Sequence, residues 1–258
     1  MIPTRIEEFA DRLAALDDHA LDRSEPLPPT LRMGESGGYS VYYAPFDHVN
    51  RRARVVLVGI TPGRQQAVMA IKEARRHLKL GAQPALAAER AKAAASFGGT
   101  MRRNLVEILD HIGLAQRIGV ASCDRLWTDS SEHVHFTSAL RYPVFEGSQN
   151  FSGARIAKHP FLREQIEAWF SHECKALPQA LFVPLGPAAT EACDMMVGTG
   201  ALSAKQVLAG VPHPSGANAE RIAYFVGRKA RDQLSAKTDP AKIDSARAHI
   251  IRRLADWN

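Results

Sequence analysis

The sequence predicts an α/β protein: a three-layer α/β/α sandwich around a mostly parallel, roughly four-stranded central sheet. Three observations lead there. Short and nearly all-apolar runs, such as residues 54–58 and 180–185, suit strands covered on both faces. Longer stretches between them carry apolar residues at helical spacing. The two kinds of segment alternate along 258 residues, as strand–helix–strand units do.

In order along the chain, Ile6, Phe9, Leu13 and Leu16 predict an N-terminal helix. The connector Glu25-Pro26-Leu27-Pro28-Pro29 leads to a short strand over residues 39–46. Residues 1–50 are thus expected to be a helical and extended adornment on an α/β domain of residues 51–258. Residues 54–58 form the first central strand, and residues 64–80 a helix that Gly81 terminates. Residues 84–96 are Ala- and charge-rich, a good helix former that offers little core. Met101, Leu105, Ile108, Leu109 and Ile112 mark one face of a helix closed by Gly113. The second strand is residues 133–140. A helix over 161–175, begun by His159-Pro160, places Leu162, Ile166, Trp169 and Phe170 on one side. Residues 180–185 are the third strand, with Pro184 near its end. Gly186-Pro187 opens the next helix. A fourth strand runs up to His213; a helix then continues to Leu234, and a last one covers 243–254.

A net charge of +6, with clusters such as Arg51, Arg52 and Arg54 or Arg228, Lys229 and Arg231, suits a polyanionic partner such as DNA; solvated helix faces are the plainer reading. The three cysteines, Cys123, Cys174 and Cys193, contain no C-x-x-C, which argues against a disulfide scaffold or a thiolate cluster. With an acidic, amphipathic start and no apolar run of membrane-spanning length, a cytoplasmic monomer without membrane contact is expected. His133 and His135 would share a face of a strand, but no third ligand is specified, so no metal and no organic cofactor is expected.

Two loops stand out. Gly59-Ile60-Thr61-Pro62-Gly63 follows the first strand, and His213-Pro214-Ser215-Gly216-Ala217-Asn218 follows the fourth. Strand-to-helix loops of an open α/β sheet meet at its carboxyl edge, where ligands bind. Each loop alone is ordinary, a tight turn or a satisfied loop histidine. Together they form two walls of one pocket: one lets backbone approach a planar ligand, and the other offers backbone N–H groups and a hydroxyl to a phosphate.

Over roughly residues 55–221, these loops and the segments between them resemble the uracil-DNA glycosylase superfamily. Gly59-Ile60-Thr61-Pro62-Gly63 is similar to its first motif, in the form of the mismatch-specific branch, and His213-Pro214-Ser215-Gly216-Ala217-Asn218 to its second. Phe97-Gly98-Gly99-Thr100 resembles the segment that supplies an aromatic platform, and Phe136-Thr137-Ser138-Ala139-Leu140-Arg141 the strand that reads the base. Residues 180–186 match a further strand ending in Leu-Gly.

The resemblance implies a monofunctional DNA glycosylase that extrudes uracil or another deaminated base from DNA and cleaves its N-glycosidic bond. His213 would donate to the base oxygen as negative charge develops, with Thr61 as a passive water-positioning residue. Gly59, Ile60, Gly63, Phe97 and Ser138 (Thr137 if the register slips by one) would hold the base. Pro62, Pro214, Ser215, Gly216, Ala217, Asn218 and Arg221 would face DNA. Thr61 and Ile60 stand where relatives carry Asp, Asn or Glu, Gly63 where strict uracil enzymes carry Tyr, and Ser138 where they carry Asn. These differences imply a roomier pocket and broader base acceptance. Ala217 replaces a bulky wedge, leaving Asn218 or Arg221 to enter the strand, while Arg141-Tyr142-Pro143 would contact phosphate or cap the pocket. Two rival readings are a non-catalytic binder of flipped bases and a nucleotide- or phosphosugar-binding enzyme; the latter lacks a P-loop or a complete G-x-G-x-x-G.

Overall fold

In the computed structural model, which describes residues 2–257, the strands fall into two sheets rather than one. In chain order they are β1 (Arg32–Ser36), β2 (Tyr39–Tyr42), β3 (Val55–Gly59), β4 (Val134–Ser138), β5 (Val144–Glu146), β6 (Gln149–Asn150) and β7 (Leu181–Pro184). The helices are α1 (Ile6–Ala15), α2 (Asp18–Arg23), α3 (Arg64–Lys79), α4 (Pro84–Ala95), α5 (Gly99–His111), α6 (Leu114–Ile118), α7 (Pro160–Gln165), α8 (Ser171–Ala176), α9 (Pro187–Gly198), α10 (Ala219–Phe225) and α11 (Pro240–Ala255). A π-helical turn, Ile166–Phe170, joins α7 to α8. The fold is mixed α/β.

The central sheet is parallel and three-stranded, in the order β4-β3-β7. All five residues of β3 are buried, as a middle strand covered on both faces requires. Its side chains alternate between two cores. Val56 and Val58 pack with α1, α3, α4, α9 and the α7–α8 helix, while Val55 and Leu57 pack with α5, α6, α10 and α11. Helices therefore cover both faces.

The expected fourth strand is reduced to two isolated parallel bridges, Phe182–Val207 and Leu185–Val211. Three steps along β7 oppose four along the neighbouring segment, so one residue must bulge. Gly210 takes that role at φ +109°, and a Cβ there would lie 3.0 Å from the Cβ of Ala246 on α11. Close approach of the last helix and the bulge both break the ladder, yet the segment still delivers His213 beside the end of β7.

The second sheet is antiparallel, in the order β1-β2-β5-β6. Only β2 was foreshadowed in the sequence; β1 is largely exposed and β6 has two residues, too little for a hydrophobic alternation to register. Two further expectations need correction. Helix α4 is not poor core: Ala87, Ala88, Ala91 and Ala95 are buried against the α3 side of the molecule, small side chains that permit close helix packing. The helix after the His213 loop ends at Phe225 rather than Leu234. There the N–H groups of Gly227, Arg228 and Lys229 turn back onto the carbonyls of Tyr224 and Ala223, which closes the helix. As expected, Pro160 and Pro187 occupy first turns. Among the described residues no helix is long and apolar enough to cross a membrane.

Candidate functional site

The two loops meet at the carboxyl edge of the parallel sheet and enclose a cavity of about 280 Å³. Gly59, Ile60, Thr61, Pro62, Gly63, Phe97, Ser138 and His213 all line it. Pro214, Ser215, Gly216, Ala217, Asn218 and Arg221 do not; the last five form the adjoining rim, with Gly216, Ala217 and Arg221 exposed, whereas Pro214, like Pro62, is buried and presents no face to DNA.

Gly59 shapes the interior by what it lacks. It pairs with Ser138 across β3 and β4. A Cβ at this position would lie 3.3 Å from Ser138 Oγ and 3.5 Å from Phe97 Cζ. The bare backbone thus opens a slot bounded by an aromatic ring and a hydroxyl. Ser138 and Thr137 both line the cavity; the Ser138 hydroxyl faces the Gly59 slot, while the Thr137 hydroxyl donates to buried Glu173 at 2.6 Å.

Phe97 holds a left-handed backbone, φ +45°, a costly conformation for an aromatic residue. Its neighbours fix it. The Ser96 carbonyl accepts from Trp127 Nε1 at 3.0 Å, and the Ser96 hydroxyl donates to the Lys92 carbonyl at 2.6 Å. The ring sits 5.9 Å from that of Phe136, which lies 4.8 Å from Trp127. Strain held in place by such contacts marks a residue whose aim matters.

His213 is held in one tautomer. The Ser215 backbone N–H donates to His213 Nδ1 at 3.3 Å, so the neutral ring carries its proton on Nε2. Burial lowers its pKa from the ordinary 6.5 and favours that neutral form. Behind it, Gly186 has φ +88°, and a Cβ there would lie 3.0 Å from His213 Cβ. Asn104 on α5 donates to the Pro214 carbonyl at 2.8 Å. Asn218 donates to Ser215 Oγ at 3.3 Å and accepts from Arg221 at 2.9 Å. Both candidates for strand entry are therefore tied into the rim.

The Gly59 loop is built differently. Thr61 Oγ1 donates to the Tyr142 carbonyl at 3.1 Å and accepts from the Val144 N–H at 3.0 Å. Its proton is spent on fastening the loop to β5. Gln66 accepts from the Gly63 N–H at 3.1 Å, and Asn150 from the Arg64 N–H at 2.8 Å, which satisfies the start of α3 from within. Ile60 packs toward Gly153, where a Cβ would come within 3.1 Å of its Cδ1. None of the residues lining the cavity is a carboxylate.

Lys92 in the floor was not foreseen, whereas Arg141 belongs to the segment expected to contact phosphate or cap the pocket. Lys92 and Arg141 line the cavity, and both are buried. Arg141 is therefore no surface phosphate contact: its Nε donates to Glu173 Oε1 at 2.5 Å and its Nη1 to the Pro3 carbonyl at 2.8 Å. His135 contacts the other Glu173 oxygen at 2.8 Å. Burial would raise the Glu173 carboxyl, but Arg141, Lys92 and His135 hold it well below the usual range. Burial first, and then the Lys92 charge, push His135 down to about 4, so it is neutral. His133 lies in the 3₁₀ turn before β4, so the two histidines share no strand face. Lys92 donates to the Phe46 carbonyl at 3.1 Å and the His48 carbonyl at 2.7 Å. Its signal in the sequence was a charge on the alanine face of α4, at helical spacing from Ala88 and Ala95. Asn104 left no comparable signal, because its role depends on a carbonyl far along the chain.

The chain is 33% identical over 245 residues to "Uncharacterized protein YoxB" of Bacillus subtilis (strain 168), covering 93% of this chain and 95% of that protein. No family model and no solved structure matches.

Proposed function

We propose, for a chain that belongs to the family of Bacillus subtilis YoxB, the activity of a monofunctional DNA glycosylase of the uracil-DNA glycosylase kind. It hydrolyses the bond between deoxyribose and uracil or another deaminated base, the first step of base excision repair. The observation that carries this reading is the slot at Gly59, bounded by Phe97 and Ser138, in the same cavity as a histidine whose Nε2 proton is set by its loop. A flat slot with an aromatic wall suits a single base. Stacking on such a ring is worth about 1–3 kcal/mol, which offsets part of the cost of extruding it.

In the reaction the N-glycosidic bond breaks and the base leaves with the electron pair. A water oxygen bonds to the sugar carbon and loses a proton to solvent, and the departing base takes one up. His213 Nε2–H donates to the base oxygen as its charge grows, a contribution of about 3–4 kcal/mol for one preorganised donor. Ser138 offers one hydroxyl to the base edge, a lenient reader that suits several deaminated bases. The 213–218 loop meets the backbone of the DNA. The protein acts as a cytoplasmic monomer, and the bridged segment before His213 stands in for the fourth strand of the sandwich.

The spent Thr61 hydroxyl and the cavity without a carboxylate favour a second reading, a module that captures flipped bases without cleaving them. Single- and double-stranded oligonucleotides bearing uracil, hypoxanthine or xanthine separate the two. After incubation, alkali should cut strands at abasic sites. Intact strands for every base at excess protein would reject the glycosylase, and tight binding in that case would establish the capture module.

A further inference from the structure

A buried charge normally has a counter-charge, because desolvating an ion without one is costly. Around the cavity floor, Arg141 obeys this rule through Glu173. Asp47 is buried and accepts from the Tyr43 and Tyr142 hydroxyls, each at 2.8 Å, and from the Arg5 N–H at 2.7 Å. Lys92 differs in making no direct ion pair: the Glu173 and Asp47 carboxylates act on it only through their field. Lys92 is 5% exposed, and among the described residues its ammonium is held by two carbonyls rather than by a carboxylate. Two of its three N–H groups are thereby used. The residue lines the base cavity, as does Phe46, whose carbonyl holds it.

We propose that Lys92 is a fixed cation beneath the base, positioned to stabilise the negative charge that the base acquires as it leaves. The inference rests on the reading of the cavity as a base pocket, and it supplies what the Gly59 loop lacks. With no carboxylate to activate water, the barrier falls from the leaving-group side. His213 neutralises charge at one oxygen through a hydrogen bond, and Lys92 acts on the ring through its field in a site shielded from solvent. The partner this floor favours is a pyrimidine or purine ring with anionic character. A neutral ribose or a phosphosugar would meet an aromatic slot unsuited to it.

The test uses two neutral-pH probes of similar shape, uracil and barbiturate, the second an anion. Titration calorimetry on the full chain should show barbiturate bound at least about tenfold more tightly than uracil, a modest share of what a nearby buried cation offers. In Lys92→Met that preference disappears while uracil binding stays within a few fold. Equal binding of the two probes by the wild type overturns the proposal without recourse to any variant. A second arm compares single-turnover release of uracil with that of 5-fluorouracil, which bears negative charge more readily. Lys92→Met should slow uracil release more than 5-fluorouracil release, whereas equal slowing indicates a merely structural lysine and overturns the role. Base release with no Lys92-dependent anion preference overturns this inference alone. Anion preference without base release upholds the cationic floor and overturns the hydrolase, and the lack of both overturns both.

Discussion

The Gly59 and His213 loops face each other across one cavity, but they spend their polar groups in opposite ways. Thr61 gives its proton to the Tyr142 carbonyl and takes one from the Val144 N–H, so the first loop is fastened and chemically quiet. The second is fastened by other atoms: the Asn104 amide, the Ser215 N–H and the Asn218–Arg221 pair. His213 Nε2 is left to meet a ligand. Under the proposed glycosylase reading, this difference puts the catalytic effort on the departing base and leaves the attacking water with little help from the protein.

The sharpest way to break the comparison is to exchange the costs of the two loops. His213→Ala should slow single-turnover base release by about 10²–10³-fold, the usual effect of removing one preorganised donor. Thr61→Val should cost less than tenfold in rate but about 1 kcal/mol or more of stability, because it leaves a carbonyl and an N–H without their partner. A larger rate loss for Thr61→Val would place water activation back at the first loop.

Gly59→Ala tests the slot itself. The backbone there tolerates a side chain, but the new methyl meets Ser138 Oγ at 3.3 Å and Phe97 at 3.5 Å. Binding of uracil-containing DNA should weaken roughly tenfold, near the bottom of the energy range of a lost stacking contact, with an unchanged melting temperature. Unchanged affinity would show that the base sits elsewhere.

Asn104→Ala sharpens the account of how the second loop is held. Loss of one hydrogen bond to the Pro214 carbonyl should cost about 1 kcal/mol, read as a several-fold drop in rate with little effect on uracil affinity. The smallest effect concerns pH. Burial lowers the His213 pKa below 6.5, so the unfolded chain takes up this proton before the folded one does. Stability from this group is therefore present near neutrality and falls as pH drops below 6.5 toward the lowered value. The rate should follow, since protonation of Nδ1 removes the acceptor of the Ser215 N–H. A rate that rises on acidification in this range would mean that the cationic ring is the active form.

Much of this was legible in the residues. The buried run at 55–58, the Gly loop after it and the distant His213 loop declared a parallel sheet with a cavity at its edge, because full burial and tight turns leave local signatures. Phe97 was legible through the glycines that follow it. The antiparallel sheet was not, since β1 and β6 are too exposed or too short to alternate. Nor was the bulge at Gly210, which answers to Ala246 on α11, a contact with no local trace. Lys92 was legible in principle as a charge on an alanine face, yet its meaning depends on the carbonyls of Phe46 and His48. The spent state of Thr61 is likewise a property of β5.

The central claim is tested most directly by chromatographic detection of the free base from uracil-containing DNA, wild type beside His213→Ala. The wild type should release intact uracil, one per abasic site, and the variant should lose about 10²-fold or more of that release. No free uracil at excess wild-type protein, or equal release by both proteins, would contradict the claim.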